Sequence, residues 1–281
     1  MRIYTGNEKE GAPSQNNSLE NFVDERDFKL LEKDKYSFSV LHRVISGKCE
    51  LLLSDHERVI ICFTGQPFPV WIWTPEDLPE KDKKKIYKLV KEHSFLDGKH
   101  RFNLKYNLAE FFIKKTFEEG KRMAILMNMF AYQCKELIEP EKRADGNIHR
   151  CGINDIDKLA DFIRLFDREL NTGRKEKESY LSDASRLVET GNMFLWRNAR
   201  GESVASCNYV PDGNLASISF VFTKPECRRR HYAINLVYEV TKIIMESGYL
   251  PHLYTDADNT ASNACYEKIG YVVKGKLCTI G

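Results

Sequence analysis

Apolar positions recur along this chain with two periods. Ala233, Leu236, Val237, Val240 and Ile244 return at steps of three and four, which places them on one face of a helix. Ahead of it, "MFLWRN" (193–198), "ESVASCNYV" (202–210) and "LASISFVFT" (215–223) have strand length and composition, and "GE" and "PDGN" between them suit turns. Three antiparallel strands are predicted there. Upstream, "IHRCGI" (148–153) reads as a strand, "NDIDKLADFIRLFDREL" (154–170) as a helix capped by Asn154 or Asp155, and "EKESYLSDASRLVETG" (176–191) as a helix ending at Gly191. Downstream come a short strand "PHLYT" (251–255), a helix from about Asn259 to Lys268 stopped by Gly270, and a last strand from Tyr271. This succession predicts an α/β protein built on a mixed sheet, with the strands either side of the Ala233 helix lying parallel. Ligands in such sheets bind at the carboxyl ends of parallel strands, where the helix amino terminus also points.

The first half shows a similar order. "VWIWTPEDLPEKDKKKIYKLVKEH" (70–93) is strand, proline-containing turn and charged helix, followed by "YNLAEFFIKKTFEEG" (106–120) as "NTASNACYEKIG" (259–270) follows the other. Thr74 lies 149 residues before Thr223, and Asn107 lies 152 before Asn259. Either the chain is a degenerate duplication or two halves share a common α/β order. A charged segment with Pro and Gly, "EPEKRADGN" (139–147), suits a linker between them. The expected organisation is a flexible lead-in at 1–17, an N-terminal α/β domain at 18–140 and a second domain at 147–281.

Composition narrows the function without naming it. At 281 residues and 42% hydrophobic, the chain can bury a full core. A net charge of +2, from 43 basic and 41 acidic residues, gives no overall pull toward nucleic acid or an anionic membrane, so neither is an expected partner. No run of about 18 apolar residues and no signal-peptide core is present. The eight cysteines form no C-x-x-C pair and do not cluster with histidine, which suggests neither a zinc site nor a disulfide framework and fits reduced thiols in the cytoplasm.

Local charge is more telling. Arg228, Arg229 and Arg230 stand directly before the Ala233 helix, where the helix dipole disfavours cations. A bound anion, held by the free N–H groups and the arginines together, resolves that conflict; a solvated charge run is the alternative.

These residues carry a resemblance. "VFTKPECRRRHYAINL" resembles the acyl-CoA-binding motif of the GNAT superfamily of N-acyltransferases, R/Q-x-x-G-x-G/A, matched by Arg228, Arg229, Arg230, His231, Tyr232 and Ala233. "NTASNACYEKIGY" resembles the family's next helix, N-x-x-A-x-x-L-Y-x-x-x-G-F, with Asn259, Ser262, Cys265, Tyr266, Gly270 and Tyr271 in register. The match spans roughly residues 147–280 and implies the GNAT fold there, with a degenerate GNAT-like repeat as the reading of the first half. It implies acetyl-CoA as cosubstrate, no metal, and an amine of a small molecule or protein as acceptor. Phe220, Val221, Phe222 and Thr223 would line the pantetheine arm, the arginine loop the pyrophosphate, and Asn259 and Ser262 the same cofactor face. Tyr266 would be the general acid for the departing thiolate, against the alternative of plain core packing. Asp256 is the nearest motif-adjacent carboxylate for a base, but its place at the end of a strand better suits a loop acid capping the next helix with Asp258. Two departures, His231 in place of a glycine and little room after "YVVKGKLCTIG" (271–281) for the family's last strand, motivate a second reading as a non-catalytic acyl-CoA-binding module.

Overall fold

The computed structural model describes residues 19–170 and 175–281; the lead-in expected at 1–17 lies outside them. The first half supplies α1 (Glu25–Glu32), α2 (Ser39–Val44), β1 (Leu51–Ser54), β2 (Ile60–Phe63), β3 (Val70–Trp73), α3 (Glu80–Glu92), β4 (Phe102–Leu104), α4 (Tyr106–Glu118) and β5 (Ile125–Cys134). The second supplies β6 (Asn147–Arg150), α5 (Ile156–Leu170), α6 (Lys177–Glu189), β7 (Met193–Arg197), β8 (Ser203–Asp212), β9 (Leu215–Thr223), α7 (Tyr232–Glu246), β10 (Leu250–Asp256), α8 (Thr260–Lys268) and β11 (Tyr271–Ile280).

The described strands form one mixed sheet in the order β1-β2-β3-β4-β11-β5-β10-β9-β8-β7-β6. Two pairs are parallel, β3 with β4 and β9 with β10, each joined through a crossover helix. The remaining pairs are antiparallel. The last strand of each half lies inside the other: β5 sits between β10 and β11, and β11 between β4 and β5.

Side chains explain why. The run "VWIW" in β3 is wholly buried because both faces of the sheet are covered there. Val70 and Ile72 pack with Ile86, Val90, Leu108 and Phe112 of α3 and α4, while Trp71 and Trp73 pack with Leu31 of α1, Leu41 of α2 and Phe38 at the N-cap of α2. Cys278 and Ile280 of β11 belong to the α3–α4 core, whereas Tyr132 and Cys134 of β5 belong to the core under α7 and α8. Each half therefore completes the other's core. The segment 139–147 divides the sequence but not the sheet, and it is tied down: the Asp145 carboxylate accepts from Tyr232 Oη at 2.6 Å and from the Ala199 N–H at 2.8 Å.

A strand stands beside β11, in register from Tyr271 opposite Cys134 to Ile280 opposite Ile125, and it is β5 from the first half. Gly270 makes the turn into β11 with φ +98°, and a Cβ there would lie 2.0 Å from the Glu136 carbonyl oxygen.

The arginines precede the helix, as the sequence places them, but one residue, His231, stands between Arg230 and its first turn. A 3₁₀ turn, Pro225–Cys227, precedes them, and α7 begins only at Tyr232.

Candidate acyl-transfer site

Pairing between β9 and β10 runs from Leu215 opposite Leu250 to Ile218 opposite Leu253 and then stops, although β9 continues to Thr223 and β10 to Asp256. The strands diverge at their carboxyl ends. A register shift in the β8–β9 ladder between Ser206 and Asn208, with Phe220 at φ 51°, marks a bulge that turns β9 as it leaves its partner. One edge of its last residues is thereby left without a strand.

The chain then passes through Arg229 at φ 61° and His231 at φ 64°, both in the left-handed region. His231 is the N-cap of α7 and adopts the backbone conformation that favours glycine, so the path of the loop survives without one. No backbone acceptor takes the N–H groups of Arg229 to Ile234 among the described residues; the first such bond runs from the Asn235 N–H to His231 O at 3.2 Å. These free donors sit at the positive end of α7, an arrangement that suits an anion.

Above them opens a cleft of about 700 Å³. Of the residues singled out in the sequence, it is lined by Val221, Phe222, Thr223, Arg228, Arg229, His231, Tyr232, Ala233, Asn259, Ser262 and Tyr266. Phe220 and Arg230 do not line it. The Phe220 ring packs on Phe166 with centroids 5.0 Å apart, and Arg230 lies where its charge acts on the Asp145 carboxylate on the far side of Tyr232.

The two arginines of the cleft differ. Arg228 donates from Nε to Thr223 O at 3.1 Å, lies over the Phe222 ring, and pairs with the Glu169 carboxylate of α5. Arg229 makes no hydrogen bond or ion pair among the described residues. Opposite them, Asn259 caps α8, its Oδ1 accepting from the Ser262 N–H at 3.1 Å. Tyr266 follows on the same helical face; it is 7% exposed, and its ring packs against Tyr132 and Tyr271 with centroids 6.3 and 6.0 Å away. Its hydroxyl has no hydrogen-bond partner among the described residues. Burial, reinforced by the nearby Cys265 and Cys207 thiols, pushes its pKa well above the ordinary tyrosine value. The phenol is therefore protonated throughout the neutral range.

Asp256 serves as a loop cap, accepting from the Asp258 N–H at 2.9 Å. Elsewhere, the side chains of Asp24, Asp27 and His56 come within 4.8 Å of one another. Their bonds are those of a capped helix and a histidine–carboxylate pair: the Asp24 N–H donates to Asp27 Oδ2, and His56 Nδ1 lies 2.7 Å from that same oxygen.

The cleft also has a wall that sequence reading misses, made by Phe166, Glu169 and Leu170 at the end of α5. The apolar stripe of α5 announces a packed helix. Nothing local announces that Glu169 faces Arg228, a contact 59 residues apart.

Residues 195–279, from β7 into β11, match the family model described as FR47-like protein. No curated protein sequence matches the chain. Among solved structures, it is similar to a GNAT-family acetyltransferase from Colwellia psychrerythraea at a TM-score of 0.59 and 10% identity, covering 94% of this chain and 98% of that one. A GCN5-related N-acetyltransferase from Sphaerobacter thermophilus superposes at a TM-score of 0.59 and 13% identity, over 75% of this chain and 71% of that one. Another from Kribbella flavida gives a TM-score of 0.52 and 15% identity, over 79% and 86%. At such identities the likeness is one of fold, and it extends through both halves. The chain thus shares the fold of GNAT-family acetyltransferases along its sheet, and the region over the elements that open the cleft is FR47-like in sequence.

Proposed function

We propose that this protein is a cytoplasmic N-acetyltransferase that takes an acetyl group from acetyl-CoA and passes it to a primary amine of a small molecule or protein. The observation that carries the reading is that residues bearing three things the chemistry needs line one cleft: Arg229 and His231 to Ile234 with their free N–H groups, Arg228 and Arg229 with their guanidinium groups, and Tyr266 with its protonated phenol. The N–H groups and arginines suit a pyrophosphate, since charge-assisted bonds to fixed donors need no rearrangement of the backbone. The unpaired edge of β9 beyond Ile218 suits an extended amide-bearing arm and offers N–H groups to a developing oxyanion. Tyr266 lines the same cleft with its Oη free of other hydrogen bonds, which supports the role of proton donor to a departing thiolate. His231, which favoured a binding-only module, weighs less beside this geometry, because it adopts the left-handed conformation that a glycine would supply there.

The test is incubation of the full chain with acetyl-CoA and a pooled amine library, following free thiol release and the mass of acetylated products. Amine-dependent thiol release is the expected result. Tight acetyl-CoA binding with no turnover on any amine would reduce the protein to a binding module, and absence of binding would remove the reading altogether.

A further inference from the structure

We propose that Cys49 and Cys62, far along the sheet from the acyl-transfer cleft, form a reversible disulfide. All cysteines of the chain are free thiols, and among the described residues these two alone bring their sulfur atoms into contact, with Sγ atoms 3.4 Å apart. Cys49 lies in the connection from α2 to β1, and Cys62 lies within β2. The backbone fixes them together: the Glu50 N–H donates to Phe63 O at 2.8 Å, and the β1–β2 ladder begins one residue later with Leu51 opposite Phe63. Closing the bond needs only a small approach of side chains already held side by side.

Their surroundings set the route. Cys49 is half-buried, whereas Cys62 is fully buried in the core beneath α2, so an oxidant in solution meets Cys49 first. The Cys49 thiolate attacks one sulfur of a small disulfide such as oxidised glutathione, forming a mixed disulfide and releasing one glutathione thiol. Cys62 Sγ then loses its proton and attacks the Cys49 sulfur, expelling the second glutathione as its thiol. Two protein thiols have lost two protons and two electrons, and the small disulfide has gained them. Burial, together with the hydrogen bond to Cys49, raises the Cys62 thiol pKa well above its ordinary value, so the second step is the slower one and quickens with pH.

The bond would fasten the connection after α2 to β2. That helix also carries Ser39, whose N–H donates to Tyr254 Oη at 3.0 Å, and Tyr254 lies on β10, one of the two strands that diverge at the cleft.

The experiment equilibrates the full, folded chain with mixtures of reduced and oxidised glutathione, quenches in acid, alkylates the remaining thiols and maps peptides by mass. The expected result is loss of two thiols, one peptide pair joining Cys49 to Cys62, transient glutathione on Cys49, and full reversal by dithiothreitol. In Cys62→Ala the reaction should stop with glutathione on Cys49, and in Cys49→Ser the Cys62 thiol should stay unmodified while the protein is folded. Glutathione resting on wild-type Cys49 without closure, a different pair oxidising first, or full retention of thiols under strongly oxidising mixtures would each overturn the proposal.

Discussion

Tyr266→Phe separates chemistry from packing because the tyrosine's two parts have separate surroundings. The ring is 7% exposed and wedged between Tyr132 and Tyr271, contacts that phenylalanine keeps. The hydroxyl has no hydrogen-bond partner to orphan, so its removal should change stability by less than about 0.5 kcal/mol and leave the melting temperature nearly unmoved. Acetyl-CoA affinity should also hold, since the arginine loop is untouched. If Oη protonates the leaving thiolate, kcat should fall by about 10² to 10⁴-fold. A further signature follows from the raised pKa: the phenol does not titrate in the neutral range, so the ratio of wild-type to variant kcat should stay flat from about pH 6 to 9. The assay is kcat and KM against pH once an acceptor is known, with calorimetric affinity and melting temperature on the same preparations. A kcat within twofold of wild type would refute the acid role, and a drop in melting temperature with normal kcat would assign Tyr266 to the core alone.

Other perturbations test the rest of the structure. Arg229→Ala should weaken acetyl-CoA binding by about 1.5 to 3 kcal/mol, Arg228→Ala by less because the cofactor must first displace Glu169, and Arg230→Ala least of all; calorimetry at low and high salt reads the order, which equal losses would contradict. A chain starting at Gly146 lacks β5 and leaves both edges of β11 unpaired, so it should be insoluble or unfolded alone and rescued by co-expression with residues 1–145; a folded, active fragment would show that the exchanged strands are dispensable. His252 is buried, and burial, with a smaller effect of the Arg43 charge, lowers its pKa from 6.5 to about 4. The unfolded chain therefore binds a proton that the folded one refuses, and stability should be full above about pH 6.5 and decline by up to about 3 kcal/mol as pH falls toward 4. Denaturant melts of wild type and His252→Gln between pH 4 and 7.5 check this, and parallel pH profiles would remove His252 from the account.

Much of the second half is legible in the chain itself. The buried face of α7, the bounds of β9 and the start of β11 follow from hydrophobic period and turn residues, because each such element buries one face and exposes or covers the other in a fixed rhythm. The cleft is legible for the same local reason: Arg228 to Ala233 form one loop and helix start, and Asn259, Ser262 and Tyr266 share one face of one helix. Contacts distant in sequence leave no such mark. Whether Arg228 meets a ligand or Glu169, whether Arg230 points into the cleft or toward Asp145, and which residues form the wall at the end of α5 depend on elements brought together only by folding. The strand exchange is the largest case. An apolar strand such as β5 or β11 records that it must be buried, but its ladder of backbone bonds is nearly indifferent to side chains. Which neighbour it takes was decided by the fit of Tyr132 and Cys134 under α7 and α8, and of Cys278 and Ile280 under α3 and α4, a complementarity of volumes that exists only in three dimensions.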